Sequence, residues 1–316
     1  MMPSPRSRPK PRPNVAGPAT RQWQFDAIGT RWSVEALQVV PPAVWARARR
    51  AVAGRIEQFD RDYSRFRADS LVSAMARTAG RYQLPPDAQP LFDLYRELYD
   101  LTAGAVTPLV GGLLAAAGYD AAYSLRPGTL TPPPAWPGTL RYEFPHLTLA
   151  RPVSLDLGAA GKGYLVDLVA GVLRTHGITA YCVDAGGDMA HQGALEADPL
   201  AVGLEHPADA GQVIGVAQLR NQSLCGSAGN RRAWAGLNHI IDPHTRTSPT
   251  HLRAVWAVAD TTLLADALTT ALYFVPPPIL AAHYVFEYAL VYEDFSLEHS
   301  ADFPAAFFTT PAISAL

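Results

Sequence analysis

Asp266, Thr269 and Thr270 stand at i, i+3 and i+4 of a segment that reads as a helix over 261–274, TTLLADALTTALYF. That spacing places all three on one helical face. One carboxylate and two hydroxyls are hard oxygen donors, suited to Mg²⁺ or Ca²⁺ rather than zinc. Mg²⁺ takes few protein ligands and completes its shell with water and phosphate oxygens. The same face has a purely structural alternative, in which the threonine hydroxyls bond back to helix carbonyls and Asp266 is solvated.

A second group lies in residues 154–193, SLDLGAAGKGYLVDLVAGVLRTHGITAYCVDAGGDMAHQG. Glycines and an alanine pair surround Lys162, between Asp156 and Asp167. This reads as a buried strand end, a glycine-rich turn, a helix and a second strand closing on two glycines and Asp188. Glycine lets a backbone approach a ligand closely, and a helix N-terminus with free N–H groups suits a phosphate. Lys162 would add a positive charge there; an ordinary tight turn with a solvated lysine is the alternative. Asp188 reads either as an acceptor for a ribose hydroxyl or as a turn acid. His239, three residues before Asp242, supplies a general base, an orienting group or a core histidine. No other histidines have metal-ligand spacing, and the strand–helix elbow of G-x-S-x-G hydrolases is missing around Ser227.

These groups must be positioned by a chain of 316 residues that is 48% hydrophobic and 17% charged, enough for a sizeable core. A net charge of −2 gives no footprint for nucleic acid. The two cysteines, Cys182 and Cys225, make neither a disulfide framework nor a cysteine metal site. Residues 1–20 are rich in proline and basic residues without an apolar h-region, so a disordered tail and no secretory signal are expected. No apolar run reaches the ~18 residues of a membrane span. These features together give an expectation of a cytoplasmic protein.

Alternation around Ile28-Gly29-Thr30 predicts a first hairpin or bent strand. Helical periodicity predicts helices over 42–62, 71–78 (with Asp69-Ser70 as N-cap) and 88–101. Residues 102–119 read as a packed loop and helix or a pocket wall, and the proline-rich residues 124–139 as an exposed connector. Strands are expected at 140–144, 147–149, 200–205, 213–219, 222–225 and 254–259, with a polar turn at 227–236. Prolines 276–278 should end the helix over 261–274, a further helix is expected at 279–286, and 288–292 should be a closing strand. Strands and helices mix without strict βαβ alternation, so the class is α+β, mixed sheets packed with helices in a single compact unit over 21–316.

Five blocks in order carry a resemblance: Ile28-Gly29-Thr30; YSRFRADS (63–70); DLGAAGKGYLVD (156–167) with AGGD (185–188); HIIDP (239–243); and ADALTTAL (265–272). From about Ile28 onward the chain resembles the ApbE family, the FAD:protein FMN transferases. The resemblance implies an ApbE-like (T-fold-like) fold and transfer of FMN from FAD to a threonine hydroxyl of an acceptor protein, releasing AMP, with Mg²⁺ on the pyrophosphate. It places Asp266, Thr270 and the Ala159 carbonyl on the metal, with Thr269 at a third position that is a ligand in some members. Asp156 and Lys162 match FAD-contacting positions. Ile28, Ala105, Val106, Thr107 and Ile241 would line the flavin or adenine pocket, Tyr63 or Phe66 would stack on the isoalloxazine, and His239 would assist deprotonation of the acceptor threonine. Lys162 and His239 are thus the catalytic candidates; Asp188 joins the cofactor-binding set.

The chain also departs from the family pattern. GAVTPLVGGL (104–113) has Thr107 for an acid and Leu109 for a threonine; SGxY reads Ser227-Ala228-Gly229-Asn230; DPHTRTSP (242–249) has Arg246 for glycine. The signal and lipobox of many members are not visible. Weaker FAD contacts are expected at those positions. Hydrolysis of FAD to FMN and AMP, and FAD binding without turnover, are therefore the alternative functions.

Overall fold

The first hairpin closes on a two-residue turn. Ile28 and Gly29 both take positive φ, 43° and 74°, the geometry that matches strand twist in a tight hairpin. Isoleucine is strained there because its Cβ crowds the backbone. This is a computed structural model and it describes residues 21–193, 199–230 and 232–308. The tail expected at 1–20 lies outside the described residues.

In chain order the elements are β1 (Arg21–Ala27), β2 (Thr30–Ala36), α1 (Pro42–Tyr63), α2 (Leu71–Met75), β3 (Gly80–Gln83), α3 (Gln89–Leu101), α4 (Gly111–Ala116), β4 (Leu140–Glu143) and β5 (His146–Leu149). Then come α5 (Gly161–Thr175), β6 (Tyr181–Asp184), β7 (Met189–Gln192), β8 (Leu200–His206), β9 (Asp209–Leu219), β10 (Ser223–Ala228), β11 (Ala233–Trp234) and β12 (Leu237–Asn238). The chain continues through β13 (Leu252–Ala259), α6 (Thr262–Ala271), α7 (Pro277–Ala281), β14 (Glu287–Tyr292), β15 (Leu297–His299) and β16 (Ala305–Phe307).

An eight-stranded antiparallel sheet in the order β1-β2-β6-β7-β10-β13-β14-β15 forms the spine. One face carries α1, α5 and α6 over the main core. The other face, toward β13 and β14, packs against the sheet β16-β9-β8 through Leu204, Ala217, Leu224, Trp256 and Val291. With both faces covered there, β13 is apolar and buried along almost its whole length. The helices follow their sequence period: α1 buries Trp45, Ala48, Val52, Ile56, Phe59 and Tyr63, a repeat of three and four residues. Ser70 caps α2 by accepting from the Ser73 N–H at 2.9 Å. The α+β class and the single compact unit hold.

Several expectations change. Residues before Asp156 are extended coil, tied by Val153 N–H to Met75 O (3.2 Å) and Asp156 N–H to Pro108 O (2.7 Å). The turn expected at 227–236 is the end of β10 followed by the hairpin β11–β12. Pro276 caps α7 and Pro277 and Pro278 begin it, because proline suits a first helical turn; this helix ends well before 286. Residues 288–292 do not close the fold, since β15 and β16 follow. The connector 124–139 lacks regular structure, yet it buries Trp136 against Tyr99.

α5 and α6 are joined by an exchange of carboxylates. Asp266 on α6 accepts from the Gly163 N–H at the start of α5, at 2.7 Å. Asp167 on α5 accepts from Thr262 N–H (2.9 Å) and Leu263 N–H (2.8 Å) at the start of α6. Each helix thus supplies an acceptor for N–H groups the other leaves unpaired. The close approach demands glycine at 163, where a Cβ would fall on the Thr262 carbonyl and the Asp266 Cβ. Gly163→Ala should therefore destabilise the fold by about 1–3 kcal/mol, read as a lower urea midpoint against wild type; an unchanged midpoint would show that the helices can separate freely.

Candidate active site

A cavity of about 770 Å³ opens at one end of α5 and α6, between the β1–β2 turn, the segment after α1, the 105–107 loop, β8 and the 239–241 segment. That volume suits a ligand larger than a mononucleotide fragment. Most of the residues nominated from sequence meet here: Ile28, Tyr63, Phe66, Ala105, Val106, Thr107, Asp156, Ala159, Lys162, His239, Ile241, Asp266 and Thr270 all line it. Thr269 and Asp188 do not.

α6 sets the oxygen-donor wall. Asp266 and Thr270, one turn apart, face the cavity. Thr269 is 0% exposed. Its hydroxyl donates to the Asp266 carbonyl at 2.7 Å and bonds Ser227 Oγ at 2.8 Å. The Thr269 hydroxyl is thus engaged toward β10, away from the cavity that Asp266 and Thr270 line. Asp266 is 5% exposed, and burial pushes its pKa up to about 6, with Lys162 and the Gly163 N–H opposing the rise. A buried carboxylate with one oxygen pinned by an N–H, a neighbouring hydroxyl and the turn at Ala159 supply hard oxygen donors that fit a divalent cation. No cluster of three His, Cys, Asp or Glu that could hold a metal is found among the described residues.

The start of α5 has fewer free N–H groups than the glycine-rich turn suggested. Gly163 N–H is taken by Asp266, and Gly161 N–H by Leu157 O at 2.7 Å. Positive charge comes from Lys162 instead. Its ammonium pairs with Asp188, which is 1% exposed and outside the cavity. Asp188 is therefore the counterion of Lys162, set back from the cavity where a ribose hydroxyl would be met. Burial lowers the Lys162 pKa, while nearby Asp266 works against that shift.

Asp156 lines the cavity already paired: Arg65 contacts one carboxylate oxygen, and Gly158 N–H donates to the other at 2.7 Å. Arg65 lies over the Phe66 ring at 4.2 Å and the Tyr119 ring at 5.0 Å. Phe66 stacks on Tyr123 at 5.4 Å and 10°, and meets Tyr119 edge-on at 5.5 Å. Phe66 is thus part of an aromatic group at the cavity, whereas Tyr63 is buried beside Phe59 with its hydroxyl on Asp87 at 3.0 Å. Sequence reasoning missed Arg65, Tyr119, Tyr123 and Arg232. Only Arg65 lay inside a recognisable block; Tyr119 and Tyr123 stand beside a proline-rich stretch without periodicity.

The loop before α4 turns its polar atoms inward on itself. Val106 N–H donates to Thr102 Oγ1 at 2.9 Å, and Thr107 Oγ1 accepts from Leu109 N–H at 3.2 Å. Ala105 and Val106 give the cavity an apolar side. Ile241 joins the small cluster of Tyr119 and Trp234.

His239 faces the cavity with its Nδ1 buried and without a partner. The Asp242 carboxylate accepts from His244 N–H at 2.8 Å, and no hydrogen bond joins it to His239 Nδ1. Burial lowers the His239 pKa to about 4, with the charges of Arg232 and Lys162 acting in the same direction. At neutral pH the imidazole is uncharged and able to accept a proton.

Residues 28–284 match the ApbE family model. The chain is 31% identical over 274 residues to an FAD:protein FMN transferase of Rhodobacter capsulatus, a match covering 78% of this chain and 50% of that protein. It is 27% identical over 280 residues to one from Treponema pallidum, covering 78% and 76%. An Escherichia coli K12 relative of the same name matches at 31% over 130 residues, 39% of this chain and 37% of its own length. The chain thus spans about half the length of the Rhodobacter relative and a smaller share of the Escherichia one. Among solved structures, the Thermotoga maritima ApbE protein superposes with a TM-score of 0.78 at 20% identity, covering 90% of this chain and 97% of that one. The Vibrio cholerae flavin transferase ApbE gives 0.76 at 20% identity, covering 90% and 97%. At that identity these superpositions establish the fold.

The depressed His239 pKa has a consequence for stability. The unfolded chain binds a proton near the ordinary histidine value of 6.5, which the folded chain resists until about pH 4. This contribution to stability is therefore full above pH 6.5 and is lost progressively as pH falls toward 4. His239→Gln should flatten that part of the stability–pH curve, measured by denaturant titration at several pH values; a parallel loss in both proteins would exclude the assignment.

Proposed function

Because the chain belongs to the ApbE family, we propose that it transfers the FMN half of FAD to a threonine hydroxyl of an acceptor protein, using Mg²⁺ and releasing AMP. The observation that carries this reading is the Asp266 carboxylate, buried on the wall of a large cavity beside Thr270 and Ala159. Asp266, Thr270 and the Ala159 carbonyl would hold the cation, which when bound neutralises charge on the pyrophosphate.

Transfer at phosphorus asks mainly for positioning and charge neutralisation. Lys162, held in place by its ion pair with Asp188, lines the cavity wall. Phe66 and its aromatic neighbours offer ring faces to the flavin. His239 takes the proton from the acceptor hydroxyl as its oxygen bonds to the FMN phosphorus. The bond from that phosphorus to the bridging oxygen breaks, and its electron pair leaves with AMP.

Purified protein, FAD, Mg²⁺ and a cognate acceptor should give AMP together with flavin fluorescence that stays on the acceptor in a denaturing gel. AMP with free FMN, at a rate indifferent to acceptor, would replace transfer by hydrolysis; bound flavin with no AMP would reduce the protein to an FAD carrier. Asp266→Asn should lower turnover roughly 100-fold or more. The two threonines should separate. Thr270→Val is expected to raise the Mg²⁺ concentration for half-maximal rate roughly tenfold, about the weight of one charge-assisted contact. Thr269→Val should leave that concentration unchanged and cost about 1 kcal/mol of stability through the stranded Ser227 hydroxyl. Equal Mg²⁺ shifts in both variants would refute this division of roles.

A further inference from the structure

Four cationic side chains line the cavity: Arg65, Arg67, Lys162 and Arg232. Three are already neutralised. Arg65 pairs with Asp156, Lys162 with Asp188, and Arg67 with Glu57 (3.0 Å), Asp60 (3.1 Å) and Asp69 (2.9 Å). Arg232 differs. Its Nη1 donates to the neutral Tyr119 hydroxyl at 2.8 Å, its guanidinium carbon lies 5.9 Å from the Tyr119 ring, and no carboxylate pairs with it among the described residues.

An arginine fork on a cavity wall with only a phenol for a partner is suited to an incoming anion with two acceptor oxygens. It is also exposed, so leaving Tyr119 requires no repacking of a core. The same cavity carries Asp266, Lys162 and His239.

We propose that Arg232 binds the diphosphate of the nucleotide substrate, exchanging its hydrogen bond to Tyr119 for phosphate oxygens. The proposal rests on the FAD reading of the cavity and adds a residue to it. Arg232 supplies the charge that the other three cations have already committed to protein carboxylates. A phosphate-bearing ligand should therefore depend on Arg232, and a ligand without phosphate should not.

The test is calorimetric titration of the full chain, in Mg²⁺, with ADP, which carries a diphosphate, and with adenosine, which carries none. Arg232→Gln and Arg232→Met should bind ADP roughly 10- to 100-fold more weakly than wild type, with adenosine binding unaltered. Arg232→Lys, which keeps the charge and loses the fork, should fall between. Thermal melts identify any variant that fails to fold, and the two neutral replacements and the lysine are independent of one another. ADP binding by folded Arg232→Gln and Arg232→Met at wild-type strength overturns the assignment while leaving the transferase reading intact. An equal loss of ADP and adenosine overturns it too, by showing a structural role. Arg232-dependent ADP binding in a protein that releases no AMP from FAD supports Arg232 and removes the transferase reading. Wild-type protein that binds neither FAD nor ADP removes both.

Discussion

The carboxylate exchange between α5 and α6 is the constraint on which the rest of the site depends. Asp167 closes the N-terminus of α6 and Asp266 that of α5. Both acids sit in the interior at a cost in desolvation, which raises the pKa of each. Backbone N–H groups at helix N-termini offset that cost. The exchange brings the helices so close that residue 163 has no room for a side chain. It also fixes the rotation of α6, and rotation decides which hydroxyl reaches the cavity.

Charge on the cavity wall is organised by the same economy of pairing. Buried ions are retained only where a partner compensates lost hydration. Lys162 and Arg65 each have a carboxylate drawn from elsewhere in the chain, so they hold position before any ligand arrives. Asp266 has N–H support and the longer-range charge of Lys162, and Arg232 has a phenol. The site is thus preset on one side and incompletely compensated on the other. An anionic ligand accompanied by a cation is the kind of occupant that completes such a balance.

Much of the architecture was legible along the chain because it depends on short periods. The three- and four-residue repeat of α1, the Ser70 cap, the turn at Ile28-Gly29 and the strand pairs near 140–149 and 200–219 are local features read by local rules. The limits of the elements were less legible. The strand expected before Asp156 is coil because its N–H groups find Met75 and Pro108 instead of a sheet neighbour. Trp136 is buried in a stretch whose composition suggests exposure, since Tyr99 and the core around it are distant in sequence.

By itself the sequence determined the ApbE family, the α+β class and most of the residues that meet at the cavity, because glycine, lysine and acid at fixed spacing leave a strong linear imprint. Tertiary structure alone decided their partners. Lys162 is paired with Asp188, and Asp156 is held by Arg65. Thr269 turns toward Ser227 while Thr270 faces the cavity. Tyr119 and Arg232, which carry no motif that was read, meet across the chain at the wall. The physical reason is the range of the forces: backbone propensity acts over a few residues, whereas desolvation obliges each buried charge to find compensation wherever the fold brings it.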